Sequence, residues 1–85
     1  MSDVEFERKF RVGQAEALIA RIGLTDNIKP VLVSLSSELT AIASLAIPQD
    51  EREAIVHLLL TALCREAGDR ATRLELEAEI ERETA

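Results

Sequence analysis

The sequence predicts an all-α protein, a small three- to four-helix bundle with flexible N- and C-terminal segments. Of its 85 residues, 47% are hydrophobic, and nearly all of these are Leu, Ile, Val or Ala. Three Gly and two Pro leave few positions for turns. Apolar residues also recur at helical spacing through the middle of the chain. These features indicate a helical domain over residues 13–70, a flexible arm at 1–12 and an acidic tail at 71–85.

The first helix is predicted over residues 14–22. Its apolar residues advance by three, one and three positions along one face: Ala15, Leu18, Ile19 and Ile22. Gly23 follows directly, and glycine is a common left-handed stop at the end of a helix. The preceding residues 1–12 alternate apolar and polar side chains, which is also typical of a short strand. We expect them to be a mostly disordered arm that orders on a partner, with the strand as the alternative.

The second helix is predicted over residues 27–46. A single apolar stripe runs along it: Ile28, Val31, Leu32, Leu35, Leu39, Ile42, Ala43 and Ala46. Thr25, Asp26 or Asn27 can cap its start, and Pro30 is tolerated in the first turn because no intrahelical N–H bond is needed there. Pro48 ends this helix.

The third helix is predicted over residues 50–67, starting from Asp50 and Glu53, whose spacing is close to a capping box. Its apolar residues cover roughly 240° of its circumference, whereas a helix on the outside of a bundle needs an apolar arc of little over 100°. These residues are Ile55, Val56, Leu58, Leu59, Leu60, Ala62, Leu63 and Cys64. Two neighbouring helices cannot cover so wide an arc, so we expect an apolar groove to remain open.

The tail at 71–85 is compatible with a helix or a strand. It alternates apolar and charged residues, but a helical stripe also continues through it: Leu60, Cys64, Ala67, Ala71, Leu74 and Ala78. A frayed helical extension is the preferred prediction, and disorder or a strand is the alternative. From Asp50 onward the chain carries ten acids and five Arg.

The net charge of −6 argues against nucleic acid as the partner, because phosphate binding depends on Lys and Arg. A single cysteine cannot form an internal disulfide, and the longest apolar run is too short to cross a bilayer. With no recognisable signal peptide, we expect a cytoplasmic protein. The lone His57 and Cys64 provide too few ligands for zinc, and an apolar helix does not activate a thiol. The sequence therefore predicts no catalytic residue, no metal and no cofactor.

The expected function is binding and masking of another protein through the apolar groove of the third helix. The candidate partner-binding residues are Val56, Leu59, Leu60, Leu63, Leu35 and Leu39. The stretch from Ile22 to Thr25, followed by a polar turn with a proline and a long amphipathic helix, resembles part of the TraM family. TraM proteins are short helical antiactivators that sequester an activator of the LuxR type, and the chain is also similar in kind to helical antiactivators of the QseM type. The resemblance implies a transcriptional activator of a quorum-sensing system as the partner.

Two other interpretations remain. A strand at 4–12 followed by two helices would match the element order of a ribbon-helix-helix DNA-binding regulator. Alternatively, two copies of the third helix could bury each other in a homodimer that needs no other partner.

Overall fold

The computed structural model describes residues 3–84, which form three α-helices in the order α1 (Asp3–Ile22), α2 (Lys29–Ala43) and α3 (Gln49–Thr84). No strand occurs among these described residues. The all-α prediction is therefore confirmed, and three helices agree with the expected small bundle.

The three helices run up, down and up. Arg11 of α1 lies 3.3 Å from the Glu38 carboxylate of α2, which places the middle of α1 beside the C-terminal half of α2. Arg8 of α1 lies 3.6 Å from Glu51 in the first turn of α3. The N-terminal half of α1 thus lies beside the start of α3, so these two helices are parallel and α2 is antiparallel to both.

Two short turns connect the helices. At the end of α1, the backbone N–H groups of Leu24 and Thr25 both donate to the carbonyl oxygen of Arg21 at 3.0 Å. The side-chain oxygen of Asn27 accepts from the Lys29 N–H at 3.2 Å, and so satisfies one of the free donors at the start of α2. Gly23 ends α1 as predicted but not in a left-handed conformation. Its lack of a side chain leaves room for Glu66, whose Oε2 would lie 3.1 Å from an added Cβ.

The core consists of side chains from all three helices and from the turn that precedes α3. Its members are Ala15, Ile19, Ile22, Val31, Leu35, Ile42, Leu45 and Leu59. Six of these eight come from the predicted stripes of the first two helices, which confirms the predicted inner faces of α1 and α2. A single residue of α3, Leu59, is fully buried.

The N-terminal part of the chain differs from the prediction. Instead of a flexible arm or a strand at 1–12, the structure has α1 from Asp3 onward, and Met1 and Ser2 lie outside the described residues. Val4 and Val12 are half-buried at helical spacing, so they extend the inner face of α1. Because the segment is helical, the strand that a ribbon-helix-helix arrangement requires at 4–12 is not formed.

The C-terminal part is helical, as preferred, and continues far beyond the predicted end at residue 67. With 36 residues, α3 is about 54 Å long, and the whole molecule measures 59 × 20 × 18 Å. Every residue from 71 to 84 is exposed. We call this segment the α3 extension, and Ala85 lies outside the described residues.

Two arginines hold the base of the α3 extension against the bundle. Arg70 donates to the carbonyl oxygens of Thr25 at 3.5 Å and of Asp26 at 3.1 Å. Arg73 donates to the carbonyl oxygen of Gly23. These bonds attach α3 to the turn between α1 and α2, and the helix continues past them into solvent.

Candidate protein-binding surface

The six predicted partner-binding residues do not share one surface. Leu35 and Leu59 belong to the core, each with 2% of its surface exposed, because they lie where the three helices meet. Leu39, Val56 and Leu63 are half-buried against that core. Leu60 is 42% exposed. Of the six, Leu60 and the outer edge of Val56 therefore provide the apolar surface that a partner could contact without unfolding the subunit.

Leu60 and Val56 lie in an open groove between the end of α2 and the first turns of α3. We call it the α2/α3 groove, and its volume is about 440 Å³. Its lining residues are Ala43, Gln49, Arg52, Glu53, Val56, His57 and Leu60. The floor is aliphatic, and polar side chains of α3 form the rim. Such a surface suits an apolar side chain that enters from solvent between polar flanks.

Hydrogen bonds fix the rim of the α2/α3 groove. Arg52 donates to the carbonyl oxygen of Ala43 at 3.1 Å, which ties the first turn of α3 to the C-terminus of α2. Gln49 donates to the Glu53 carboxylate at 2.9 Å, one helical turn away. The arginine bond satisfies a carbonyl at the end of α2 and also places a positive charge there, which the helix dipole favours. Arg52 therefore joins α2 to α3 at one end of the groove.

The opposite flank of α3 is also apolar. Leu58 is 65% exposed and lies between two hollows that α1 and α3 form together. The hollow toward the start of α1 has a volume of about 360 Å³ and includes Val12 and Ile55. The other has a volume of about 390 Å³ and includes Ala20 and Ala62. The wide apolar arc of α3 is therefore divided by the buried Leu59 into two partly open sides.

A third apolar feature lies on the outer face of α1. Phe6 and Phe10, the two aromatic residues of the chain, are 67% and 48% exposed, and their rings stack with centroids 6.3 Å apart. The guanidinium of Arg11 lies 5.8 Å from the centre of the Phe10 ring. Sequence reasoning missed this pair because the alternating pattern of the segment obscured its helical face. The spacing of four residues was the signal that could have revealed it.

His57 and Cys64 are both exposed on α3. Within residues 3–84, no group of three or more His, Cys, Asp or Glu side chains is arranged to hold a metal ion. In the same part of the chain, no helix combines the length and the apolar character that crossing a membrane would require.

Scans against protein-family models, curated proteins and solved structures each gave no match for this chain.

Proposed function

We propose that this protein is a non-enzymatic regulatory binder that masks an amphipathic helix of another protein in the α2/α3 groove. The observation that supports this most directly is the exposure of Leu60 beside Val56 on an aliphatic floor with a polar rim. Helix-in-groove recognition uses this combination, in which apolar side chains at helical spacing enter a groove and the rim sets their orientation.

The charge of the chain favours a basic partner. The net charge is −6, and five of the sixteen acids lie in the α3 extension. A strongly acidic protein attracts positively charged surfaces and increases the rate of encounter with them. The DNA-binding region of a transcriptional activator is a surface of this kind. Masking such a region would make the protein an antiactivator, and a cytoplasmic location is part of this proposal.

The binding energy expected from the groove is modest. Complete burial of a leucine side chain contributes about 1.5–3 kcal/mol, and Leu60 already has more than half of its surface covered. One exposed leucine therefore cannot give tight binding alone. The partner helix must place several apolar side chains along the floor, while its basic residues contact Glu53 on the rim and the glutamates of the α3 extension.

A matched pair of leucine variants tests this proposal. Leu60→Glu puts a charge in the groove, and Leu58→Glu puts the same charge on the opposite flank of the same helix. The probe is a fluorescein-labelled amphipathic helical peptide of leucine and lysine, with binding followed by fluorescence anisotropy. A peptide of the same composition without helical periodicity is the control ligand.

We expect Leu60→Glu to weaken binding by about tenfold or more, equivalent to about 1.4 kcal/mol, and Leu58→Glu to leave it nearly unchanged. Circular dichroism should show the same helix content for both variants, because both leucines are exposed in the folded subunit. Equal losses in the two variants, or a larger loss for Leu58→Glu, would overturn the proposal. So would equal binding of the two peptides.

A further inference from the structure

The α3 helix carries an exposed apolar strip that begins beyond the groove. Its residues are separated alternately by three and four positions: Cys64, Ala67, Ala71, Leu74 and Ala78. All five are exposed, and Leu74 is the largest of them. We call this strip the α3 seam. The alternation of three and four is the spacing at which helices pair in a coiled coil.

The α3 seam lies to one side of the face of α3 that packs on the bundle. At about 100° per residue, the seam lies about a quarter turn around α3 from the side that carries Leu59 and packs on α1 and α2. A second helix can therefore lie along the seam without displacing either neighbour. The contacts that attach α3 to the bundle, through Arg70 and Arg73, stay intact in such a pair.

The α3 extension needs such a neighbour more than the rest of the helix does. Its apolar residues Leu74, Leu76 and Ile80 are all exposed. Leu74 is the one that lies on the α3 seam, and at about 100° per residue Leu76 and Ile80 lie on the other side of the helix. Isolated helices shorter than about 12–15 residues are only marginally stable in water, and most helical stability in proteins comes from packing an apolar face. Among residues 3–84, no other helix packs along the outer turns of this segment, and every one of its side chains is exposed.

We infer that the α3 seam pairs with the α3 seam of a second copy of this chain, in antiparallel orientation. In this arrangement Leu74 lies against Ala71 of the second copy, and Ala78 lies against Ala67. Leu74, the one large side chain of each seam, thus meets an alanine, and this allows close packing of the two helices. The last residue of α3 in one copy, Thr84, reaches the level of Thr61 on the other.

Charge selects this orientation. Residues 75–84 carry five glutamates and one arginine, a net charge of −4. A parallel pair would bring two such segments together and place Glu81 against Glu81. The antiparallel pair instead puts each acidic segment along residues 61–70 of the other α3, where Arg65 and Arg70 balance Glu66 and Asp69, and it sets Glu77 beside Arg70. The dipoles of the two helices are also opposed in this orientation.

This pairing is independent of the proposed function. The described part of α3 in the second copy reaches the level of Thr61, so it does not run along the α2/α3 groove at residues 43–60. A protein that failed to bind the helical peptide could still form the pair, and a monomer could still bind the peptide. The two proposals can therefore be tested separately on the same chain.

Disulfide trapping tests both the pairing and its orientation. Two variants are made, C64S/A67C and C64S/A78C, and each is oxidised alone and as an equal mixture with the other. In the antiparallel pair, residue 67 of one copy faces residue 78 of the other. Residue 67 of one copy and residue 67 of the other are eleven residues apart along the paired helices. This distance is about 16 Å, which is too long for a disulfide.

We expect the mixture to give a covalent dimer that joins position 67 to position 78, and each variant alone to remain uncrosslinked. Crosslinking of each variant alone would indicate a parallel pair and overturn the inference. Failure of all three samples to crosslink would also overturn it, and sedimentation of the unmodified chain would then show a monomer.

Substitution in the seam provides the second measurement. Ala71→Glu places a charge in the seam, and Thr72→Glu places the same charge on the neighbouring residue outside it. Both positions are exposed in the subunit, so both variants should keep the helix content of the original chain. Sedimentation equilibrium should show that Ala71→Glu raises the dissociation constant of the dimer more than tenfold, whereas Thr72→Glu leaves it nearly unchanged. Equal dimerisation in the two variants would contradict the inference.

Discussion

Arg11 on α1 and Glu38 on α2 form a half-buried ion pair in which the Nη1 atom of the arginine lies 3.4 and 3.3 Å from the two carboxylate oxygens. The Nε atom of Arg11 is buried and has no hydrogen-bond partner. The carboxylate is therefore the main compensation for bringing this guanidinium out of water. The pair joins a segment with ambiguous sequence pattern to a helix that was clearly predicted.

Loss of this pair should destabilise the fold. We expect Glu38→Ala to lower the free energy of unfolding by about 1 kcal/mol, because a partly buried charge loses its partner. The matched variant Glu51→Ala removes the partner of Arg8, in a pair that is longer and more exposed, and should change stability by less than about 0.5 kcal/mol. Urea denaturation followed by circular dichroism measures both. A Glu51→Ala effect as large as that of Glu38→Ala would contradict this assignment.

Two adjacent leucines of α3 should differ strongly in their contribution to stability. Leu59→Ala removes a core side chain and should cost about 3 kcal/mol, because it leaves a cavity between the three helices. Leu58→Ala removes an exposed side chain and should cost less than about 0.5 kcal/mol. Chemical denaturation of both variants gives the comparison. Similar losses would mean that α3 is rotated relative to the position described above.

Gly68 lies in the middle of α3, and an added Cβ there would meet no atom within 4 Å. Gly68→Ala should therefore stabilise the chain by about 1 kcal/mol, since alanine loses less backbone entropy in a helix and nothing obstructs its methyl group. The midpoint of urea denaturation should rise accordingly. A fall in the midpoint would indicate that another backbone or side chain approaches this position closely.

Amide hydrogen exchange should separate the anchored part of α3 from its extension. We expect the amides of residues 55–66 to be among the slowest to exchange, because they lie in the part of α3 that packs on the core. Those of residues 75–84 should exchange much faster in dilute solution and become protected as the protein concentration rises through the range of dimerisation. Protection of 75–84 that is high and independent of concentration would contradict both the exposure of this segment and its pairing.

The central part of the fold was predictable because its signals are local. The apolar residues of the first two helices repeat by threes and fours, so Ala15 and Ile19, like Val31 and Leu35, could be assigned to inner faces without knowledge of the other helix. The start of α1 was not predictable in this way. Its helix is supported by Arg8 and Arg11, whose partners lie more than 25 residues away along the chain.

The candidate surface was predicted only in part, for a geometric reason. A wide apolar arc on the third helix indicates that some of it stays uncovered, but it does not tell which residue faces the other two helices. Burial of Leu59 leaves its neighbours Leu58 and Leu60 on opposite flanks, and this choice depends on the rotation of α3 in the bundle. The spacing of apolar residues within one helix does not show how that helix is rotated against its neighbours.

The molecule is about three times as long as it is wide, 59 Å against 20 and 18 Å, and α3 accounts for most of this length. Large bodies attached at Gln49 and at Thr84 would not collide, since about 52 Å of continuous helix lies between these residues. Lengthening or shortening α3 by one helical turn would change the distance between these two residues by about 5 Å.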